Sequence, residues 1–141
     1  MNEAPTAEER SPTMPLSLTG VILVVDDDDS MRQAIQRLLN AAGFKTEAYA
    51  SAEALLADGR AAFAACLVSD YKLPGMSGLD LLSELRTRGF KPPTIVVTAH
   101  DSIDLREEAM RRGATGYLAK PFRSADLLDA IERAVKGRPP P

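Results

Sequence analysis

The chain has 141 residues, with 17 Lys and Arg against 20 Asp and Glu, one Cys, one His, no Trp and 45% apolar residues. That composition suits one ordinary domain and leaves little room for two. A single Cys excludes an intrachain disulfide, and one His with one Cys excludes a zinc site of the usual kind, so any metal here is a hard cation held by oxygen.

Residues 1–15 are polar, acidic and broken by proline, where a secretory signal needs a basic start and an apolar stretch. No apolar run approaches the roughly 18–20 residues that cross a bilayer. A cytoplasmic protein is therefore expected. The net charge of −3 has a local source: Asp26, Asp27, Asp28 and Asp29 are consecutive, and without those four the remainder would stand at +1. Lys and Arg are scattered among carboxylates, so no basic stripe is present and direct binding of nucleic acid by this chain is not expected.

In chain order, residues 1–17 carry Pro5, Pro12 and Pro15 and read as a disordered tail, followed by a folded body over 18–136. Val21–Val25 is continuously apolar, as a parallel strand covered on both faces requires. Ser30–Ala42 has helical period through Ile35, Leu38, Leu39 and Ala42, with Gly43 as its stop. Phe44–Ala48 is a second strand. Ser51 caps a short helix, Ala52–Ala57, that stops before Gly59. Cys66–Ser69 forms a third strand ending at Asp70, with Cys66 as a small buried hydrophobe. After the loop from Leu73, Ser77 and Asp80 make a capping-box arrangement for a helix whose apolar side is Leu79, Leu82 and Leu85. Thr94–Val97 is the fourth strand, Ser102–Arg112 a polar fourth helix stopped by Gly113, and Gly116–Leu118 a short fifth strand. Leu127, Leu128, Ile131 and Val135 mark a final helix. Residues 137–141 read as a proline-rich tail.

Five β-α repeats with short connections give a parallel sheet with helices on both faces. Ligands of such sheets bind outside the carboxyl ends of the strands. Asp26 and Asp27 follow the first strand, Asp70 the third, Thr98 ends the fourth, and Lys120-Pro121 lies just past the fifth. Carboxylates gathered on one edge take up protons or bind a cation. Acid oxygens without His or Cys select Mg²⁺. A carboxylate beside a divalent cation and a lysine is suited to accept a phosphoryl group. Taken singly, each residue has a plainer reading: Thr98 as a β-branched strand residue, Lys120 as a surface lysine, Tyr117 as packing.

These residues fall in four ordered segments, Ile22-Leu-Val-Val-Asp-Asp27, Leu67-Val-Ser-Asp-Tyr-Lys-Leu-Pro-Gly-Met-Ser-Gly78, Ile95-Val-Val-Thr-Ala99 and Tyr117-Leu-Ala-Lys-Pro-Phe122. Together they resemble the receiver domain of two-component response regulators, from Val21 to about Lys136. Around Asp70–Gly78 and Thr98–Asp101 the sequence is similar to the FixJ-like subgroup. The resemblance implies a flavodoxin-like (βα)5 fold with strand order 2-1-3-4-5. It also implies that Asp70 takes a phosphoryl group from a phosphohistidine of a sensor histidine kinase or a histidine phosphotransfer protein. Asp27 would bind Mg²⁺ directly and Asp26 through water, with Asp70 and the Lys72 backbone carbonyl completing the protein ligands. Thr98 and Lys120 would hold phosphoryl oxygens, and the Tyr71 and Ala99 amides would add donors. Tyr117 matches the switch aromatic that turns inward once Thr98 moves, Lys120-Pro121 is implied to be cis, and helix one, with Met31 near its start, to dock the kinase.

Asp28 and Asp29 extend the usual acidic pair, and Asp29 reads as the cap of helix one. Lys72 and His100 stand where the family tunes phosphate lifetime, in a direction the sequence does not give. The expected output is a changed affinity for a downstream protein, not classical enzyme turnover. The alternative is the receiver part of a transcriptional regulator whose DNA-binding domain follows Pro141. A phosphohydrolase of the haloacid-dehalogenase type shares Asp, Thr, Lys and Mg²⁺. Its motif order is reversed, however, with an Asp-x-Asp nucleophile first and the acidic pair last.

Overall fold

The computed structural model describes residues 20–136. In chain order these form β1 (Val21–Val25), α1 (Asp29–Ala41), β2 (Thr46–Tyr49), α2 (Ala52–Asp58), a 3₁₀ turn (Arg60–Phe63), β3 (Ala64–Asp70), α3 (Gly78–Thr87), β4 (Thr94–Thr98), α4 (Ile103–Arg111), β5 (Gly116–Ala119) and α5 (Ser124–Val135). Every strand pairing is parallel, and the sheet order is β2-β1-β3-β4-β5, the order that the resemblance implies. The tails expected over 1–17 and 137–141 lie outside the described residues.

The central strands β1, β3 and β4 are largely apolar because both faces of the sheet are covered there, whereas the edge strand β2, Thr-Glu-Ala-Tyr, is only half-buried. Successive residues of β1 point to opposite sides. Ile22 and Val24 join Ile35 and Leu39 of α1 and Leu127 and Ile131 of α5. Leu23 and Val25 join Leu55 of α2 and Leu81 and Leu85 of α3. A third cluster closes α3 onto α4 and β5 through Leu79, Leu82, Val96, Ala109 and Tyr117. Helix α3 thus serves two clusters, which is why Leu81 is as buried as the Leu79, Leu82 and Leu85 stripe expected from periodicity.

Several boundaries differ from expectation for local reasons. The second strand begins at Thr46, not Phe44. Gly43 takes φ of 99°, and the Phe44 amide returns to the Leu39 carbonyl at 3.0 Å, so the helix stop extends through Phe44, which packs against the α1–α5 side of the core. The cap of α1 is Asp28, not Asp29: its side chain accepts the Met31 amide at 3.0 Å, while Asp29 is the first helical residue. A 3₁₀ turn between α2 and β3 carries the chain into a third strand that starts at Ala64.

Candidate functional site

The site grows out of the carboxyl edge of the sheet. At the end of β1 the Asp26 amide donates to the Tyr49 carbonyl at 3.1 Å, one step beyond the ladder. The Asp26 carboxylate is buried; its Oδ1 accepts the Asp28 amide at 2.9 Å and its Oδ2 the Lys120 ammonium at 3.2 Å. Asp27, next in the chain, is exposed. At the end of β3, Asp70 is 8% exposed, and its Oδ2 accepts Lys120 Nζ at 3.1 Å. Lys120 follows β5, where its amide donates to the Thr98 carbonyl at 2.7 Å and the Lys120-Pro121 bond is cis.

The carboxyl end of β3 is fixed from behind. The Ser69 hydroxyl donates to the Asp70 carbonyl at 2.9 Å. The Gly78 amide donates to the Tyr71 carbonyl at 2.8 Å, closing the loop that starts α3. The loop is also tied to α2, where the Met76 amide donates to Glu53 Oε2 at 2.9 Å. That bond holds the Glu53 carboxyl below its ordinary pKa.

Oxygens of Asp26, Asp27 and Asp70 all lie within 4.8 Å of one another. Three carboxylates against one ammonium leave two negative charges uncompensated, which matches a divalent cation, and an all-oxygen donor set matches Mg²⁺. The protonation behaviour of the pair follows from the same imbalance. Burial raises the Asp70 pKa, the Lys120 ammonium and the Lys72 amide oppose it, and the neighbouring Asp26 adds to the rise, leaving it above the ordinary carboxylate value. Burial alone would lower Lys120, but its bonds and charge contacts with Asp70 and Asp26 outweigh that and hold its pKa up. One lysine shared by two acids is therefore firmly charged, while the acid it serves is only partly compensated.

Thr98 is fully buried at the end of β4, and its hydroxyl accepts the His100 amide at 2.9 Å. Asp70 pairs with Val97 across the sheet, so Thr98 is the next residue past the partner of Asp70. Ala99 stands at the exposed start of the following loop. Tyr71 directly follows Asp70 in the chain. Its amide donates to the Val97 carbonyl at 2.8 Å as an extension of the β3–β4 ladder; the Lys72 amide is the backbone group that pulls the Asp70 pKa down.

Tyr117 lies apart from the carboxylates, on the α4 side. The residue is 9% exposed and clusters with Leu79, Leu82 and Ala109. Its hydroxyl donates to Asp101 Oδ1 at 2.9 Å, and the Arg106 guanidinium sits 4.5 Å from the ring centroid. Burial and the bond to Asp101 hold the phenol above its ordinary pKa. Tyr117→Phe keeps the ring and removes the bond, and is expected to lower the unfolding free energy by about 1 kcal/mol in a urea titration. Cys66 is buried as expected, with its thiol pushed up to about 12 by burial, so it takes no part in the chemistry.

Asp101, Ser69, Gly78 and Arg32 belong to the site's surroundings and were not singled out from sequence. Arg32, on α1, donates to the Asp26 carbonyl at 2.9 Å. A cation three residues after Asp29 is the one signal that a sequence carries for it.

Residues 22–132 match the family model described as the response regulator receiver domain. The transcriptional regulatory protein FixJ of Azorhizobium caulinodans is 42% identical over 125 residues, covering 89% of this chain and 58% of that protein. Nodulation protein W of Bradyrhizobium diazoefficiens is 38% identical over 120 residues, covering 85% of this chain and 53% of that one. Among solved structures, FixJ-N superposes with a TM-score of 0.76 at 35% identity, covering 86% of this chain and 97% of that one. The chain spans about half the length of the curated relatives it matches. With its fold, its sheet order and a family match over most of its length, the chain belongs to the response regulator receiver domains of two-component systems.

Proposed function

We propose that Asp70 accepts a phosphoryl group from a phosphohistidine of a histidine kinase or phosphotransfer protein, and that the modified chain binds a downstream protein with changed affinity. The observation that carries this reading is the Lys120 ammonium bridging Asp26 and Asp70 at 3.2 and 3.1 Å beside the exposed Asp27. In the transfer, Asp70 supplies the attacking oxygen, the bond to phosphorus forms as the P–N bond breaks, and the imidazole leaves. Lys120 is held charged and close enough to follow the phosphoryl oxygens. The Lys72 amide adds a donor, and the Thr98 hydroxyl turns toward a phosphoryl oxygen by exchanging its present contact with the His100 amide. Asp26, Asp27, Asp70 and the Lys72 carbonyl would hold Mg²⁺, which when bound neutralises charge on the transferring oxygens.

Two expected results follow from this reading. Incubated with acetyl phosphate, the wild type gains one phosphate by intact-mass spectrometry only when Mg²⁺ is present, and Asp70→Asn gains none. An adduct that ignores both conditions overturns the assignment. Mg²⁺ at 100 times its Kd raises the unfolding free energy by about 2.7 kcal/mol, and Asp27→Ala loses most of that gain in a thermal melt.

Tyr117, with Asp101 and Arg106, is read as the aromatic element through which rearrangement at Thr98 reaches α4. A cytoplasmic location fits a chain in which no helix of the described residues is long and apolar enough to cross a membrane. A second reading, a receiver serving a longer DNA-binding regulator, is favoured by relatives such as FixJ, of which this chain covers 58%. The length of the encoded polypeptide decides it.

A further inference from the structure

Four acids in a row run from the β1–α1 loop into the first residue of α1, and a cation lies against the backbone beneath them. Arg32 Nη1 donates to the Asp26 carbonyl at 2.9 Å, and Nη2 pairs with Asp29. The Arg32 side chain is only 17% exposed, whereas the side chain of Asp29 is 77% exposed. The pairing with Asp29 is thus a solvated contact of small energy, and the better-covered interaction is the one with the carbonyl. Among the described residues no other donor reaches that carbonyl.

That carbonyl belongs to the peptide joining Asp26 to Asp27. A peptide unit is planar, so fixing the direction of its C=O fixes the Asp27 nitrogen and Cα along with it. Asp26 is already held at both carboxylate oxygens, by the Asp28 amide and Lys120. Among the described residues Asp27 has no such restraint on its exposed side chain, and its aim depends on the backbone that carries it. We infer that Arg32 is a positioning residue for the cation site, acting through the Asp26–Asp27 peptide to aim the Asp27 carboxylate. This rests on the Mg²⁺-binding reading proposed above.

The sign of the effect separates positioning from charge. As a bare cation near the site, Arg32 repels Mg²⁺, so on charge alone its removal tightens binding. As a positioning residue, its removal weakens binding, and groups that orient metal ligands typically contribute about 10-fold or more in affinity. The experiment is calorimetric titration of Mg²⁺ into the full chain as wild type, Arg32→Met and Arg32→Lys, with thermal unfolding of each in metal-free buffer. Positioning predicts Mg²⁺ binding about 10-fold weaker in Arg32→Met. It also predicts weakened binding in Arg32→Lys, which keeps the charge but lacks the two-pronged donor. Tighter binding in Arg32→Met, or wild-type binding in Arg32→Lys, overturns the inference. So does unchanged affinity accompanied by a lower metal-free midpoint, which is the mark of a purely structural residue. If the wild type itself binds no Mg²⁺, the proposed function fails, a result distinct from any difference among the variants.

Discussion

In metal-free buffer at pH 7, Asp70→Asn is expected to be more stable than the wild type by about 1 kcal/mol, the size of gain common when a functional compromise is removed. The reason is the charge imbalance at the strand ends. Asp70 is buried, shares Lys120 with Asp26, and has its pKa raised above the ordinary carboxylate value, first by burial. The folded carboxyl therefore takes up its proton at a higher pH than the unfolded one. As pH rises through the interval between the two values the unfolded state binds fewer protons than the folded state, so wild-type stability falls. Asparagine does not titrate. The advantage of the variant is accordingly absent at acid pH, below the unfolded carboxylate value, and reaches full size once pH exceeds the folded Asp70 value. Chemical denaturation across that range measures it, and a variant less stable than wild type at pH 7 would contradict the account. Mg²⁺ narrows the gap, because the wild type offers the ion one more carboxylate.

Gly78→Ala is expected to have the larger effect on the fold. A β-carbon built at Gly78 overlaps the carbonyl oxygen of Asp70 and lies 3.1 Å from both the Asp70 carbonyl carbon and Ser69 Oγ. The atoms in the way are the backbone of Asp70 and a hydroxyl already bonded to it, not the free end of a flexible side chain. Relief requires β3 and the start of α3 to separate, which also strains the Gly78–Tyr71 bond. Overpacking of this kind costs about 3 kcal/mol, a fall of roughly 10 °C in unfolding midpoint for a domain of this size. Phosphoryl acceptance falls as well at temperatures where the variant is still folded, because the overlap displaces Asp70 itself. Calorimetry and the acetyl phosphate assay at low temperature read the two effects separately.

Much of the fold was legible because burial on both faces writes itself plainly into a sequence. Val21–Val25 and Thr94–Thr98 have no polar alternation to confuse them, and residues placed immediately after such strands must meet on one edge. Asp26, Asp27, Asp70 and Lys120 were found that way. What the sequence conceals is the division of labour among like residues. Asp26 to Asp29 are four identical letters with four situations: buried against Lys120, exposed at the cluster, capping α1, and pairing with Arg32. Nothing in the run assigns the cap to Asp28 over Asp29; only the backbone path does.

Amide partners were equally hidden. Whether the Tyr71 N–H is free depends on how far the β3–β4 ladder extends, and it extends one residue past Asp70. Gly78 and Asp101 act through long-range contacts, with the backbone of Asp70 and with Tyr117, that have no local pattern. The burial of Tyr117 likewise reflects packing against α3 and α4 together.

The most direct test of the central claim is to locate the phosphoryl group. Borohydride reduction of an aspartyl phosphate converts that residue to homoserine, and peptide mapping by mass spectrometry then identifies its position. After incubation with Mg²⁺ and acetyl phosphate, the conversion is expected at Asp70 and at no other carboxylate. Conversion at Asp26, Asp27 or a residue outside the strand ends would contradict the account.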